Sequence, residues 1–112
     1  MKDYRVVLFG GRQDDEGMKF LMHSDPIMNN VESLITYVQE IANDYAYDTY
    51  TFRVTIDGNT TDMGDIEYNR STKTFSHTVV DASAMLINFK NMFQVVEMTK
   101  DETITYIEKH SK

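Results

Sequence analysis

The chain has 112 residues and a mass of 13.0 kDa, which predicts a single compact domain over residues 1–112. It contains no cysteine, which excludes disulfides, thiolate metal sites and a cysteine nucleophile and favours a cytoplasmic location. No apolar run approaches the ~18 residues of a membrane span, so we expect no membrane partner.

The formal net charge of −7 is unevenly distributed along the chain. Residues 13–67 contain 12 acidic residues but only Lys19 and Arg53 as basic ones, a local charge of −10. A negative field of this kind repels phosphate backbones, which disfavours direct binding of nucleic acid, and it attracts basic protein surfaces. The alternative explanation is that the charge only maintains solubility.

The first half of the chain predicts two strands followed by a long helix. Residues 4–9 are apolar on both faces, which is typical of a strand inside a sheet, and residues 18–23 form a second strand beyond an acidic loop over residues 10–17. Asp25 and Pro26 then provide a helix start, and apolar side chains follow at 3.6-residue spacing. We therefore expect a hairpin and an amphipathic helix over residues 26–44, with Ile27 and Tyr45 on its inner face.

The second half predicts an antiparallel meander and further helices. Residues 50–56, 65–68 and 73–80 read as strands joined by short turns. A helix would follow from Asp81, burying apolar residues up to Phe93, and residues 94–98 fit either a strand or a helical continuation. Thr99 and Glu102 have the spacing of a capping box, which predicts a short last helix with Ile104 and Ile107 inside.

These elements predict an α+β fold in the order ββαβββα(β)α. We expect an antiparallel sheet of about four to six strands, packed by one long amphipathic helix and one or two shorter C-terminal helices.

No catalytic, cofactor or metal motif stands out. The loop at residues 10–17 lacks the spacing of a phosphate-binding loop, and its three consecutive acids would repel a phosphate. His23 and His77 lie in predicted strands, where they could meet across the sheet beside a carboxylate and line a ligand pocket. We therefore predict no catalytic residue, metal or cofactor, and expect a protein that is not an enzyme.

Tyrosines and acids alternate where the long helix gives way to the next strand. Tyrosine offers a large rigid contact surface with a hydroxyl, and flanking carboxylates favour a partner bearing Arg or Lys. Met63 stands in a turn and is a candidate exposed contact. We predict a partner-binding surface made of Glu40, Asp44, Tyr45, Tyr47, Asp48, Asp62 and Met63. The alternative is that Tyr45 and Tyr50 complete the core and only Tyr47 is exposed.

The favoured hypothesis is an acidic interaction module that binds and modulates, or inhibits, a larger protein with a basic surface, such as a nucleic-acid-binding enzyme. In size and acidity the chain is similar to small phage or mobile-element proteins that bind host enzymes, although no motif supports a family. One alternative is a small-ligand or nucleotide-handling domain with a pocket between sheet and helix. Another is a structural homo-oligomer that pairs through an exposed strand edge.

Overall fold

The computed structural model describes residues 2–13, 17–19, 23–24, 27–61, 63–80 and 92–111 of the chain. Within these ranges the chain forms eight strands and two helices, with α1 after the third strand and α2 after the eighth. The strands are β1 (Tyr4–Gln13), β2 (Gly17–Lys19), β3 (His23–Ser24), β4 (Thr49–Ile56), β5 (Asn59–Thr60), β6 (Ile66–Asn69), β7 (Thr74–Val80) and β8 (Phe93–Met98). The helices are α1 (Val31–Tyr45) and α2 (Lys100–Lys109).

All strand pairs are antiparallel, and the main path across the sheet is β2-β1-β4-β6-β7-β8. The short strand β3 pairs with β1, and β5 pairs with β4. Both helices lie on the same side of this sheet, with α1 against β1 and α2 against β7, β8 and α1. The predicted α+β class and antiparallel sheet are confirmed.

The core lies between the sheet and the two helices. Alternate residues of β1, β4 and β6, together with Phe75 of β7, point toward the helices and are almost fully buried, whereas their neighbours form an open face. The largest fully buried side chains are Tyr50, Phe52, Phe75, Leu8, Leu34, Ile35, Ile66 and Ile107. On the open face the Arg53 guanidinium pairs with Asp65 at 2.8 Å and lies over the Phe9 ring.

Strand β1 is longer than predicted because a β-bulge between Leu8 and Gly10 shifts its register rather than ending it. Gly10 and Gly11 continue the pairing, opposite Thr51 and Tyr50. The predicted loop at residues 10–17 was therefore wrong for its first four residues.

Helix α1 begins later than predicted. Its N-cap is Asn30, whose side chain accepts a hydrogen bond of 2.8 Å from the Ser33 amide. Met28 instead lies beside β1, exchanging backbone hydrogen bonds of 2.7 and 2.8 Å with Tyr4. This bridge holds Met28 extended, and Ile27, predicted to be on the inner face, is exposed. Asp25 and Pro26 lie outside the described residues.

The C-terminal elements follow their local signals. Thr99 and Glu102 form the predicted capping box at the start of α2, and Ile107 is fully buried. Thr103 is also fully buried, with its hydroxyl donating to the Thr99 carbonyl at 2.7 Å, whereas Ile104 is only half-buried. Residues 94–98 belong to strand β8, and the helix predicted from Asp81 falls on residues 81–91, outside the described part of the chain.

Among the described residues, neither helix has the length and apolar character needed to cross a lipid bilayer.

Candidate protein-interaction site

Four of the predicted contact residues lie together where α1 ends and the chain enters β4. We call Glu40, Asp44, Tyr45 and Asp48 the acidic turn. Glu40 and Asp44 are exposed, the Tyr45 side chain is 46% exposed, and Asp48 is half-buried. The turn therefore exposes one aromatic ring and up to three carboxylates.

The electrostatics of the acidic turn work against helix stability. The C-terminal end of a helix carries partial negative charge and favours cations, yet the last turn of α1 contains Asp44 and no basic residue. Glu40 and Asp44 are also four residues apart, a spacing at which like charges repel. The stability of α1 therefore does not explain why Glu40 and Asp44 are acidic. Their combined negative potential suits a cationic ligand group.

The buried side chain of Tyr50 holds the backbone where α1 ends and the acidic turn leads into β4. This side chain is completely buried, and its hydroxyl donates to the Ala42 carbonyl at 2.9 Å while accepting from the Tyr47 amide at 2.8 Å. Burial raises the pKa of the Tyr50 hydroxyl, so that it stays protonated and able to donate. One core side chain thus ties the last turn of α1 to Tyr47, in the segment that connects α1 to β4.

Arg70 holds the same segment through hydrogen bonds to its backbone. It lies in the β6–β7 hairpin loop, and its guanidinium donates to the carbonyls of Tyr47 at 3.0 Å and Ala46 at 3.3 Å. Its amide donates to the Asp48 carbonyl at 2.8 Å, and its side chain lies 3.8 Å from the Asp48 carboxylate. Arg70 was missed from the sequence, although the pairing of Thr49 with Asn69 would have placed it beside Asp48.

Ala46 ends α1 in the left-handed conformation, with φ 58° and ψ 27°. This region costs a residue with a Cβ about 1–2 kcal/mol, and glycine is the usual choice at the end of a helix. The hydrogen bonds made by Arg70 and Tyr50 hold the turn in this strained shape, and strain of this kind concentrates at functional sites.

Tyr47 packs inward, against the prediction that it is a free contact. Its ring covers Gly11, where an added Cβ would clash with the ring carbons, and its centroid lies 6.0 Å from that of Tyr50. Tyr45 is the exposed tyrosine and Tyr50 the buried one. The alternative interpretation was therefore right for Tyr50 and wrong for the other two.

Met63 and Asp62 are not part of this surface. Met63 lies beyond the opposite end of β4 and is only 6% exposed, so its prediction as an exposed contact was wrong. Its carbonyl accepts from the Tyr106 hydroxyl at 3.5 Å, because α2 lies over this turn. Asp62 falls outside the described residues.

The two strand histidines do not meet. His23 lies on β3 and His77 on β7, and three strands of the sheet separate them. His77 instead stacks on Tyr106 of α2, with centroids 4.3 Å apart, and Tyr106 in turn contacts His110 at 4.6 Å. Burial and the neighbouring His110 both lower the pKa of His77, which favours a neutral packing role over a ligand pocket shared with His23.

Within the described ranges, no group of three or more His, Asp or Glu side chains is arranged to hold a metal ion. Comparison of the chain with protein-family models, with curated proteins and with solved structures found no match. The interpretation of the acidic turn therefore depends on its own geometry and charge.

Proposed function

We propose that this protein is an acidic interaction module whose acidic turn binds a basic surface on a larger protein and thereby modulates or inhibits it. A nucleic-acid-binding enzyme is the class of partner that fits best, because its binding groove is rich in Arg and Lys. The absence of cysteine from the chain suits a reducing compartment, and we propose the cytoplasm as the place of action.

The observation that carries the proposal is a rigid backbone beneath an exposed, charged contact surface. Tyr50 and Arg70 fix the turn through hydrogen bonds to its backbone. The Tyr45 ring and the Asp44 carboxylate remain outside. A preordered turn loses little entropy on binding, so that even a small contact surface can contribute to affinity.

The test compares two charge reversals on the same helix. Asp44→Lys changes the acidic turn, whereas Glu32→Lys makes the same change in charge in the first turn of α1, outside that surface. Immobilised wild type and both variants are exposed to host lysate in low salt and in ~0.5 M salt, which screens surface charge beyond a few ångströms. We expect one stoichiometric protein retained by wild type and Glu32→Lys, lost by Asp44→Lys, and released by salt.

A defined probe complements the lysate. Titration of ¹⁵N-labelled protein with an arginine-rich peptide should shift the amide signals of Asp44 to Asp48 before those of other acidic segments, and Tyr45→Ala should reduce the affinity without altering the fold. Equal retention of the partner by Asp44→Lys, or peptide shifts centred on α2 instead, would contradict the proposal.

A further inference from the structure

A groove on the open face of the sheet begins beside the acidic turn. It has a volume of about 390 Å³, extends over β6, β7 and β8, and is lined mainly by hydroxyl, amide and carboxylate side chains. Glu67 and Glu97 belong to this lining, and each lies directly opposite Ser76 on the strand between them. Directly paired residues point to the same face, and the burial of Phe75 next to Ser76 fixes that face as the open one. The groove therefore has a serine at its floor and a glutamate on either side.

The two glutamates have no partner of their own. Both are exposed, and in the part of the chain that the structure describes neither carboxylate takes part in an ion pair or a side-chain hydrogen bond. Among the described residues that line the groove there is no Lys or Arg, and Arg53 on the same face is paired with Asp65. Glutamate is disfavoured in strands, so the stability of the sheet does not explain two of them around one serine.

We propose that the groove binds a basic segment of the partner protein, with two adjacent Arg or Lys side chains directed at Glu67 and Glu97. This inference rests on the proposed function and extends its contact surface. Thr49, which lines the groove, directly follows Asp48 of the acidic turn, so a basic surface that contacts the turn also reaches the groove. Charge complementarity favours this occupant, because two unpaired carboxylates offer charge-assisted hydrogen bonds to guanidinium or ammonium groups.

The spacing of the two carboxylates indicates how the segment lies. Two strand separations, about 9–10 Å, lie between the backbones of Glu67 and Glu97. An extended segment that runs along β7, above Ser76, points successive side chains to opposite sides. Two adjacent basic residues therefore reach one glutamate each, and the small Ser76 side chain leaves room for the backbone between them. Thr74 and Ser76 line the groove and supply hydroxyls that can hydrogen-bond to that backbone.

Titration of ¹⁵N-labelled protein with the peptide GGRRGG, blocked at both termini, tests the groove in low salt. We expect saturable shifts of the amide signals of Glu67, Ser76 and Glu97. Glu67→Gln or Glu97→Gln should each raise the Kd about two- to fivefold, as for an exposed ion pair, and the double variant should raise it further. Glu108→Gln is the matched control, because this glutamate is exposed on α2, on the other side of the sheet.

A second pair of variants distinguishes a shaped groove from general attraction between charges. Ser76→Leu fills the floor of the groove without changing the charge, and it should weaken binding at least as much as one glutamate substitution. Thr78→Leu places the same side chain two residues further along β7 on the same face, outside the groove lining, and binding should be unchanged. An equal Kd for wild type and Ser76→Leu, equal losses in Glu67→Gln and Glu108→Gln, or no shift at Ser76 would overturn the proposal.

Retention of the partner from lysate distinguishes this proposal from the proposed function. Weaker retention by both Asp44→Lys and the double variant of Glu67→Gln with Glu97→Gln would support the groove. Retention lost by Asp44→Lys but unchanged in the double variant would refute the groove and leave the proposed function standing. Retention unaffected by Asp44→Lys would refute the proposed function, and with it the role of the groove in partner binding.

Discussion

Replacing Asp44 by lysine should stabilise the folded domain while removing its proposed contact with a partner. The last turn of α1 has no basic residue, and Asp44 faces the negative end of the helix. A cation at this position interacts favourably with the helix dipole, and it also turns the repulsive Glu40–Asp44 pair into an attractive Glu–Lys pair in its favourable orientation.

The size of the effect follows from these two contributions. For exposed side chains in low salt, reversal of the dipole interaction contributes about 0.5–1 kcal/mol. Replacing the repulsive pair by an attractive one contributes a further 0.4–1 kcal/mol, roughly. After partial screening we expect the free energy of unfolding to rise by about 1 kcal/mol, or ~4 °C in Tm for a domain of this size.

Glu32→Lys is the matched control for this prediction. It changes the net charge by the same amount, but in the first turn of α1, where the dipole favours an acid. It should therefore lower the free energy of unfolding by about 0.5 kcal/mol. Any general relief of the charge of −7 would be the same in both variants, so a difference in sign isolates the helix-end effect.

Urea denaturation followed by circular dichroism, in low salt and in ~0.5 M salt, measures both variants. The gain from Asp44→Lys should shrink in high salt. A loss of stability in low salt, or a gain equal to that of Glu32→Lys, would refute the electrostatic reasoning. A stabilising change that abolishes binding would show that stability is given up at this position for function.

Three further predictions concern individual residues. Ala46→Gly should raise the free energy of unfolding, measured by thermal denaturation, by about 0.5–1 kcal/mol. Glycine relieves the left-handed strain, and this gain exceeds the loss caused by the greater entropy of the unfolded chain; a loss of stability would show that Ala46 is not strained. Gly11→Ala should cost about 1–3 kcal/mol in urea denaturation through a clash with Tyr47, and a double variant with Tyr47→Ala should recover part of that cost if the contact is the cause. Since the folded pKa of His77 is lowered, the unfolded state binds more protons as pH falls below about 6.5, and stability should decline there. His77→Phe, which keeps the stacking on Tyr106, should make urea stability less dependent on pH in that window, and an unchanged pH profile would exclude His77 as the source.

Local signals predicted some elements well because the interactions that form them are local. The capping box of Thr99 and Glu102 joins groups three residues apart, so α2 could be located from the sequence alone. The alternation of apolar and polar residues likewise placed β4 to within one residue. These patterns need no knowledge of the rest of the chain.

Non-local contacts account for the failures. Asp25 and Pro26 resemble a helix start, but backbone pairing of Met28 with Tyr4 keeps the following residues extended and moves the cap to Asn30. Met63 is in a polar turn, but α2 lies over it and buries it. Local preferences contain no information about either packing partner.

The candidate site was predicted in composition but not in orientation. The run of acids and tyrosines pointed to the segment proposed here as the contact surface, whereas spacing alone could not distinguish the exposed Tyr45 from the inward-facing Tyr47. That distinction depends on Gly11, which leaves room for the Tyr47 ring on a strand more than 30 residues earlier in the chain.

The buried hydroxyl of Tyr50 has a consequence for the dynamics of the surface above it. The Tyr47 amide donates to this hydroxyl, so its exchange with solvent deuterium requires an opening that also disturbs a core side chain. An exposed turn ordinarily opens at little cost, but opening this one requires breaking hydrogen bonds to a buried side chain that also bonds to α1. The Tyr47 amide should therefore exchange with solvent more slowly than the amides of ordinary exposed turns, and the proposed contact surface should keep its backbone shape between such openings.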